Sequence, residues 1–448
     1  MPSQKTPKPD QLSRRLRQDN IWRRPWPYLG ILAALGLLAF AAWQLPGVRN
    51  RLMPLWLRLY TSLNPPGQTA FVPQEQEQVA TAAAATMQAL IPSPSEMPAT
   101  LSAIPEPSPT PVNTPLPLPS PTPWPELPPP PERALVEGVV LEYQRFNNCG
   151  PVNLAMLLSF WGYPTTQDNT APVLKSLDED RNVGLDEMLA YLQANTSLKA
   201  VIRYGGRMED VQQLVSAGFP VLIERGHTSP KDGWMGHYSL VTAYDNSGGF
   251  VSVPDSLLGN IRLDYAEFQR DWDQFAGIYL LAYPPEREAE ALALLGPDAN
   301  PALNLENAAA FYSERAANSS GLDAFFETFA LGTIRGLQGD PLAAAQAYDA
   351  AWAHYAQLPV EQRPWRMLWY QFGPYEAYYA TGRYADLRAL ARQTLDDSYV
   401  DSLPETWYWA ARAALAMGDL DAARFNLQKA LDWWPNWPAA LELQSAVH

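Results

Sequence analysis

The 448-residue sequence has one cysteine and four histidines. A single thiol excludes an intrachain disulfide framework and any zinc or iron–sulfur site built on several cysteines. Four histidines leave little room for a histidine-rich metal centre, and no cofactor or metal is expected. Positive charge is also scarce: 32 lysines and arginines against 47 acidic residues give a net charge of −15. A nucleic-acid binder needs a basic footprint, so nucleic acid is not an expected partner. Proline, by contrast, is abundant at 44 residues, about twice ordinary usage. Because proline breaks helix interiors and central strands, the excess must collect outside the folded parts.

Charge is spread unevenly. Residues 1–24 carry Lys5, Lys8, Arg14, Arg15, Arg17, Arg23 and Arg24 against Asp10 and Asp19, a local charge of +5 that leaves −20 for the remainder. Residues 25–48 carry no charge, and from Tyr28 to Trp43 every residue is apolar or glycine. About 20 apolar residues span a bilayer, and aromatic residues favour its interfaces. The stretch 25–48 is therefore expected to be a single transmembrane helix. By the positive-inside rule, 1–24 is then a cytoplasmic tail and the bulk of the chain is extracytoplasmic at the cell membrane. A signal peptide cleaved near Ala39-Phe40-Ala41 is the rival reading. Arg49, Arg51 and Arg58 punctuate an apolar stretch that could lie on the membrane surface, though Pro54 interrupts it. Residues 49–133 read as a proline-rich disordered stalk. Between Pro92 and Pro131 there are 17 prolines in 40 residues, a composition that favours extended polyproline II and cannot bury a core.

Globular patterning starts near Ala134. Residues 151–161 read as a helix opened by Pro151 and stopped by Gly162, and 184–195 and 207–217 are also helical in pattern. Strand-like runs follow at 220–224, 237–244, 250–253 and 277–283, with Gly248-Gly249 as a hairpin signal. An early helix followed by antiparallel strands predicts an α+β domain over 134–284. From 300 to 448 the chain turns to alanine-rich helix pairs. Trp407, Ala410, Ala411, Ala414, Gly418, Ala423, Leu427, Ala430 and Pro435 fall at the offsets of a tetratricopeptide repeat. Earlier copies run through Leu331, Gly332, Gly339, Ala344, Tyr348 and Ala351, and through Tyr375, Tyr378, Gly382, Leu387 and Ala391. An all-α repeat domain offers a concave surface for a protein partner, whereas a plain helical bundle would not. The aromatic positions Trp365, Trp369, Tyr370, Tyr375, Tyr378 and Tyr379 are expected to be core.

Cys149 lies in Gln144-Arg145-Phe146-Asn147-Asn148-Cys149-Gly150-Pro151. With Asn148 as the cap of the following helix, the thiol sits at a helix N-terminus, where the local field favours thiolate. A buried structural cysteine is the alternative. A thiolate nucleophile needs a base and a group that orients it. His237, opening a strand after Gly236, is preferred to His227, which lies in the loop 226–230. His354 and His448 belong to the helical region. Asp255 follows the next strand and would stand near His237 at one end of a sheet. Asp245 is eight residues from His237, about 27 Å at strand rise. The Gln144 carboxamide and the Cys149 backbone N–H could form an oxyanion hole.

This ordered set resembles cysteine peptidase family thirty-nine and its C39-like relatives, the papain-like group that includes the double-glycine leader peptidases of bacteriocin exporters. The resemblance covers about 137–284. It implies a papain-like fold with Cys149 as nucleophile, His237 as base, Asp255 as orienter and Gln144 as oxyanion donor, acting on a peptide or protein substrate. Relatives often carry Asp followed by Pro at the third position, whereas Pro254 here precedes Asp255. There is no exporter either: no GxxxxGK[ST] motif occurs. Acyl transfer by the same triad, or a non-catalytic anchored scaffold, remain open alternatives to peptide hydrolysis.

Overall fold

A computed structural model describes residues 26–43, positions 52, 59, 63, 66–67 and 69–75, then 127–175, 177, 182–229, 233–398 and 400–447. The expected tail over 1–24 and the proline run from 92 to 126 lie outside the described residues. The chain forms two units that divide after Pro65.

In the first unit, helix α1 (Trp26–Trp43) is 18 residues of apolar side chains and glycine with no charge. At 1.5 Å per residue it is about 27 Å long, against a hydrocarbon core of about 30 Å. Among the described residues no helix is long and apolar enough to cross a membrane. The side chains of Ile31, Leu32, Leu35, Leu37, Leu38 and Phe40 are all exposed.

The second unit holds strands β1 (Arg133–Leu135), β2 (Lys199–Arg203), β3 (Val221–Ser229), β4 (Gly233–Val241), β5 (Ala243–Asp245), β6 (Phe250–Asp255), β7 (Gly259–Asp264) and β8 (Tyr279–Tyr283). They form two antiparallel sheets, β1-β5-β6-β7 and β2-β8-β3-β4. One chain segment crosses between the sheets: Thr242 separates β4 from β5, its N–H bonding Ser252 O and its carbonyl accepting from Val136 N. The expected single strand at 237–244 is therefore two strands in two sheets. Helix α2 (Cys149–Phe160) is apolar on every side, and Gly150 through Leu158 are all buried. A helix apolar all round belongs inside a core. Its core contacts include Leu222, Tyr238, Leu240 and Leu280. Helices α3 (Gln167–Leu174), α4 (Leu185–Asn195), α5 (Met208–Ser216) and α6 (Tyr265–Asp273) complete this part. α3, α6, β2 and β7 were not evident from pattern, since each is short or lacks a clear apolar period.

Helix α7 (Glu288–Leu295) leads into α8 (Pro301–Asn318), α9 (Gly321–Leu337), α10 (Pro341–Gln357), α11 (Gly373–Ala380), α12 (Tyr384–Ser398), α13 (Pro404–Ala416), α14 (Leu420–Trp433) and α15 (Pro438–Ala446). Three helical hairpins, α9/α10, α11/α12 and α13/α14, close in the same way. Gly339, Gly382 and Gly418 take φ of +79, +75 and +78°, and the next N–H bonds a carbonyl five residues back: Asp340 to Arg335, Arg383 to Tyr378, Asp419 to Ala414. This is the left-handed glycine stop that satisfies the last carbonyls of a helix. Asp340 and Asp419 then cap the second helix through Ala343 N and Ala422 N. At the second turn Arg383 replaces the aspartate and is buried between Asp349 and Asp386, with Nη1–Oδ2 and Nη2–Oδ2 distances of 2.8 Å. Within the first hairpin Gly332 faces the Tyr348 ring, where a Cβ would stand 2.7 Å from Cε1. Trp369, Tyr375 and Tyr378 are core residues.

The stretch expected to be a stalk over 49–133 differs at both ends. Phe71 is buried among the helical hairpins, edge-on to Trp352 at 5.9 Å. Gln74 N and Glu75 N donate to the two oxygens of Asp386 at 2.7 and 3.0 Å, and Arg363 Nη1 donates to Gly67 O at 2.8 Å. At the other end Pro131 O accepts from the Tyr244 hydroxyl at 2.7 Å and Glu132 O from Asn246 N. Both flanks of the proline run are thus fixed on one unit. Local composition explains this: residues 66–75 contain only two prolines and supply an aromatic anchor, and 132–136 pair in a sheet.

Candidate active site

The loop before α2 is set by buried polar groups. Asn147 adopts a left-handed φ of +54°, tolerable for asparagine. Asn148 occupies the N-cap position without a side-chain cap bond. Its amide donates instead to Gln167 Oε1 at 3.1 Å, and its Oδ1 accepts from Lys175 Nζ at 3.0 Å. The expected cap is therefore replaced by a bond to α3, because Gln167 also holds Arg145 N and Tyr143 O and fixes the whole loop. Cys149 is the first residue of α2, so the helix N-terminal field still acts on its sulfur. Gly150 is dictated by space, since a Cβ there would meet Met188 Cε at 2.8 Å and Val183 Cβ at 3.1 Å.

His237 lies in the middle of β4 and not at its start, paired across the ladder with Arg225. It is only 2% exposed, and its Nε2 is 2.9 Å from Asp255 Oδ2. Asp255, fully buried, is the last residue of β6. The expected adjacency of the two strands does not hold: β4 pairs with β3, β6 pairs with β5 and β7, and the residues meet across the two sheets. The second Asp255 oxygen accepts from Leu257 N and Leu258 N at 2.8 and 2.9 Å. Arg225 Nη2 lies 3.2 Å from Oδ2, a buried ion pair, and Arg225 Nε donates to Ser239 Oγ.

Burial alone would raise the Cys149 thiol. The His237 hydrogen bond and charge, with the Tyr238 and Gly150 backbone N–H groups, outweigh it and hold the thiol below its ordinary value. Burial alone would lower His237, yet its hydrogen bonds and charge interactions with Asp255 and Cys149 push it up to about 9. Burial works to raise Asp255, but the His237 bond and charge and the two backbone donors hold it well below the usual carboxylate range. His237 is thus hydrogen-bonded to Asp255 on one side and interacts with Cys149 on the other. Residues 136–280 match the model of the Peptidase_C39 like family.

That match covers about a third of the chain and bears out the peptidase part of the resemblance, on an α+β fold followed by a helical region. No curated protein matches the chain. Among solved structures, a C39-like peptidase from Bacillus anthracis aligns at 18% identity, covering 34% of this chain and 98% of that one, with a TM-score of 0.28. A double glycine motif protease from an AMS/PCAT transporter, in complex with the leader peptide, aligns at 19% identity, covering 35% and 97%, with a TM-score of 0.25.

Gln144 is held at both ends of its residue. Its backbone N–H donates to Ser256 O, and its Oε1 accepts from Ser256 Oγ at 2.8 Å. The carbonyl end being engaged, the Nε2 end is the one left to donate. Asn153, one turn into α2, donates to Cys149 O at 2.9 Å and to Tyr238 O at 3.2 Å, tying the helix to β4. Sequence reasoning missed Asn153, Gln167, Arg225 and Ser256. Asn153 had a visible signal, a polar residue inside an apolar helix. Ser256 stands where relatives often have proline after the aspartate, and its hydroxyl serves Gln144. The other candidates fall elsewhere. His227 is on β3 and not in a loop, its ring 6.0 Å from that of His237. Asp245 is half-buried at the end of β5, where its side chain accepts from Ser247 Oγ and Gly248 N. His354 is on α10, and His448 lies outside the described residues. Among the described residues no group of three His, Cys, Asp or Glu side chains could hold a metal.

Proposed function

We propose that residues 134–284 form a papain-like cysteine peptidase domain. In it Cys149 is the nucleophile, His237 the base, Asp255 the orienting carboxylate, and Gln144 with the Cys149 backbone N–H the oxyanion donors. The observation that carries this reading is the buried His237–Asp255 bond at 2.9 Å together with the opposed shifts of its neighbour Cys149 and of His237, the thiol held down and the imidazole held up. Those shifts favour a thiolate–imidazolium pair near neutral pH. Sulfur attacks the carbonyl carbon of a peptide bond, and the C=O pair moves onto oxygen, toward the oxyanion donors. As the C–N bond breaks, the imidazolium gives its proton to the leaving amine and a thioester remains. Water then attacks the thioester, imidazole takes its proton, and the thiolate leaves. Asp255 engages Nε2, so the proton exchanged at sulfur belongs to Nδ1. His237 and the Leu257 and Leu258 N–H groups keep the buried aspartate ionised, with Arg225 paired to it, and Ser256 turns the Gln144 amide.

On the same reading the substrate is a peptide or protein, and the three hairpins within 300–448 are tetratricopeptide-like repeats with a surface for a protein partner. Helix α1 serves as the anchor within 25–48, the basic residues 1–24 being cytoplasmic and the unit from Pro66 extracytoplasmic. The +5 charge before α1 and its uncharged, exposed apolar surface support this. The full chain, incubated with a mixed peptide pool, is expected to generate new peptide termini that Cys149→Ala and His237→Ala abolish. Termini produced equally by Cys149→Ala, or none from the wild type, would overturn the peptidase reading.

A further inference from the structure

Beside Cys149 is a notch lined by Asn182, Val183, Glu224, Tyr238 and Tyr370. Asn182, Glu224 and Tyr370 also line a cleft of about 610 Å³ that runs between the sheet part and the helical hairpins. The hairpins are thus one wall of the space next to the thiol. Five carboxylates line the cleft, those of Asp186, Glu187, Glu224, Glu376 and Glu405, and among the described residues that line it there is no lysine, arginine or histidine. Aromatic faces from Tyr204, Tyr348, Phe372 and Trp437 complete it.

Glu224 is the pivot. It is only 8% exposed and sits on β3 directly opposite Tyr238. Its Oε2 lies 3.0 Å from the Tyr238 hydroxyl, whose single hydrogen it shares with Val183 O at 2.8 Å. Its Oε1 has no protein hydrogen-bond partner among the described residues and is not sealed from the cleft. A buried carboxylate without a cation is costly, and burial pushes Glu224 well above the usual carboxylate value. An ammonium or guanidinium entering the cleft would supply the missing charge, with the aromatic faces adding cation–π attraction. Glu187 is already engaged with Gly184 N, whereas Asp186 is exposed at the start of α4.

We propose that this cleft is the substrate channel of the peptidase and that Glu224 selects substrates with a lysine or arginine side chain within two residues of the scissile bond. The proposal rests on the peptidase reading and adds the substrate class. It also gives the helical region a role within the site, as the far wall of the channel.

The test is a synthetic peptide library in which each lysine or arginine member has a norleucine or citrulline counterpart, presented to the full chain. Basic members are expected to be cut about tenfold faster or more, mainly through lower KM, as expected for one charge-assisted contact. In Glu224→Gln that ratio is expected to fall toward one, and Glu224→Asp to restore part of it. Iodoacetamide labelling of Cys149 in each variant separates the two ideas. Cleavage of neutral and basic members at equal rates, with Cys149 still labelled in a His237-dependent way, overturns the basic preference and leaves the peptidase reading standing. No cleavage of any member, with Cys149 labelled no faster than a free thiol, overturns both. A wild-type preference that Glu224→Gln leaves unchanged refutes the role of Glu224.

Discussion

Removing the His237 ring separates the reactivity of Cys149 from its mere presence. A free thiol with a pKa near 8.5 is only about 0.3% thiolate at pH 6. In this chain the His237 hydrogen bond and charge hold the thiol down, and the imidazole, at about 9, remains protonated. If the ion pair is formed at pH 6, the thiolate population rises about 300-fold. Nucleophilicity falls with thiol pKa, with a Brønsted slope of about 0.4–0.5, which takes back part of that gain. The net expectation is iodoacetamide alkylation about tenfold or more above a model thiol at pH 6. The excess should shrink about tenfold per pH unit as the model thiol ionises, while the ion pair itself persists until imidazolium is lost near pH 9. In His237→Ala only burial and the backbone donors remain, and burial raises the thiol. Alkylation at pH 6 should then drop to the free-thiol rate or below, and its midpoint should move to alkaline pH. Rates at pH 5–10, followed by intact mass, check this. A wild-type rate no faster than a model thiol at pH 6, or one untouched by His237→Ala, would refute the reasoning.

Other consequences follow from the same contacts. Asp255→Asn leaves Arg225 with only Asp271, 3.4 Å from its Nη1, as counterion, a loss smaller than the about 3–5 kcal/mol of a fully broken buried pair, read as a lowered melting temperature together with slower alkylation at pH 6. Because the folded Asp255 pKa is depressed, its contribution is complete above the unfolded value of about 3.9 and is lost as pH falls below it. The variant should therefore show a shallower loss of stability in acid, measured by denaturant titration between pH 2 and 7. Phe71→Ala opens a cavity beside Trp352, a cost of about 3–5 kcal/mol, and should release residues 66–75 to limited proteolysis before the rest of the unit unfolds.

Much of the site could be read from the sequence because its chemistry is local. The Asn-Cys-Gly-Pro run carries its own helix start, and Gly236-His237 is followed by an apolar strand. What failed was long-range. The partner of Asn148 is Gln167, on a helix whose pattern is too polar to announce itself. Asp255 reaches His237 from a second sheet, and strand alternation cannot predict which strands of different sheets face each other. Arg225 follows Glu224 at the end of an apolar run, and only the fold brings it beside Asp255. The three turn glycines of the helical region are each required by a left-handed φ, so their spacing was informative even though the hairpins are unequal in length. Phe71 was masked by its neighbourhood: an aromatic residue ahead of a proline-rich run carries no periodicity that would reveal its docking site on α10 and α11.

The central claim is that Cys149 sulfur takes the acyl group of a peptide. It is tested most directly by acid-quenching the full chain during turnover of a cleaved peptide and measuring intact and fragment masses. The account predicts a thioester carrying the N-terminal part of the peptide on Cys149, absent in Cys149→Ala and removed by hydroxylamine. Continued cleavage of the peptide by Cys149→Ala, with no adduct in the wild type, would contradict it.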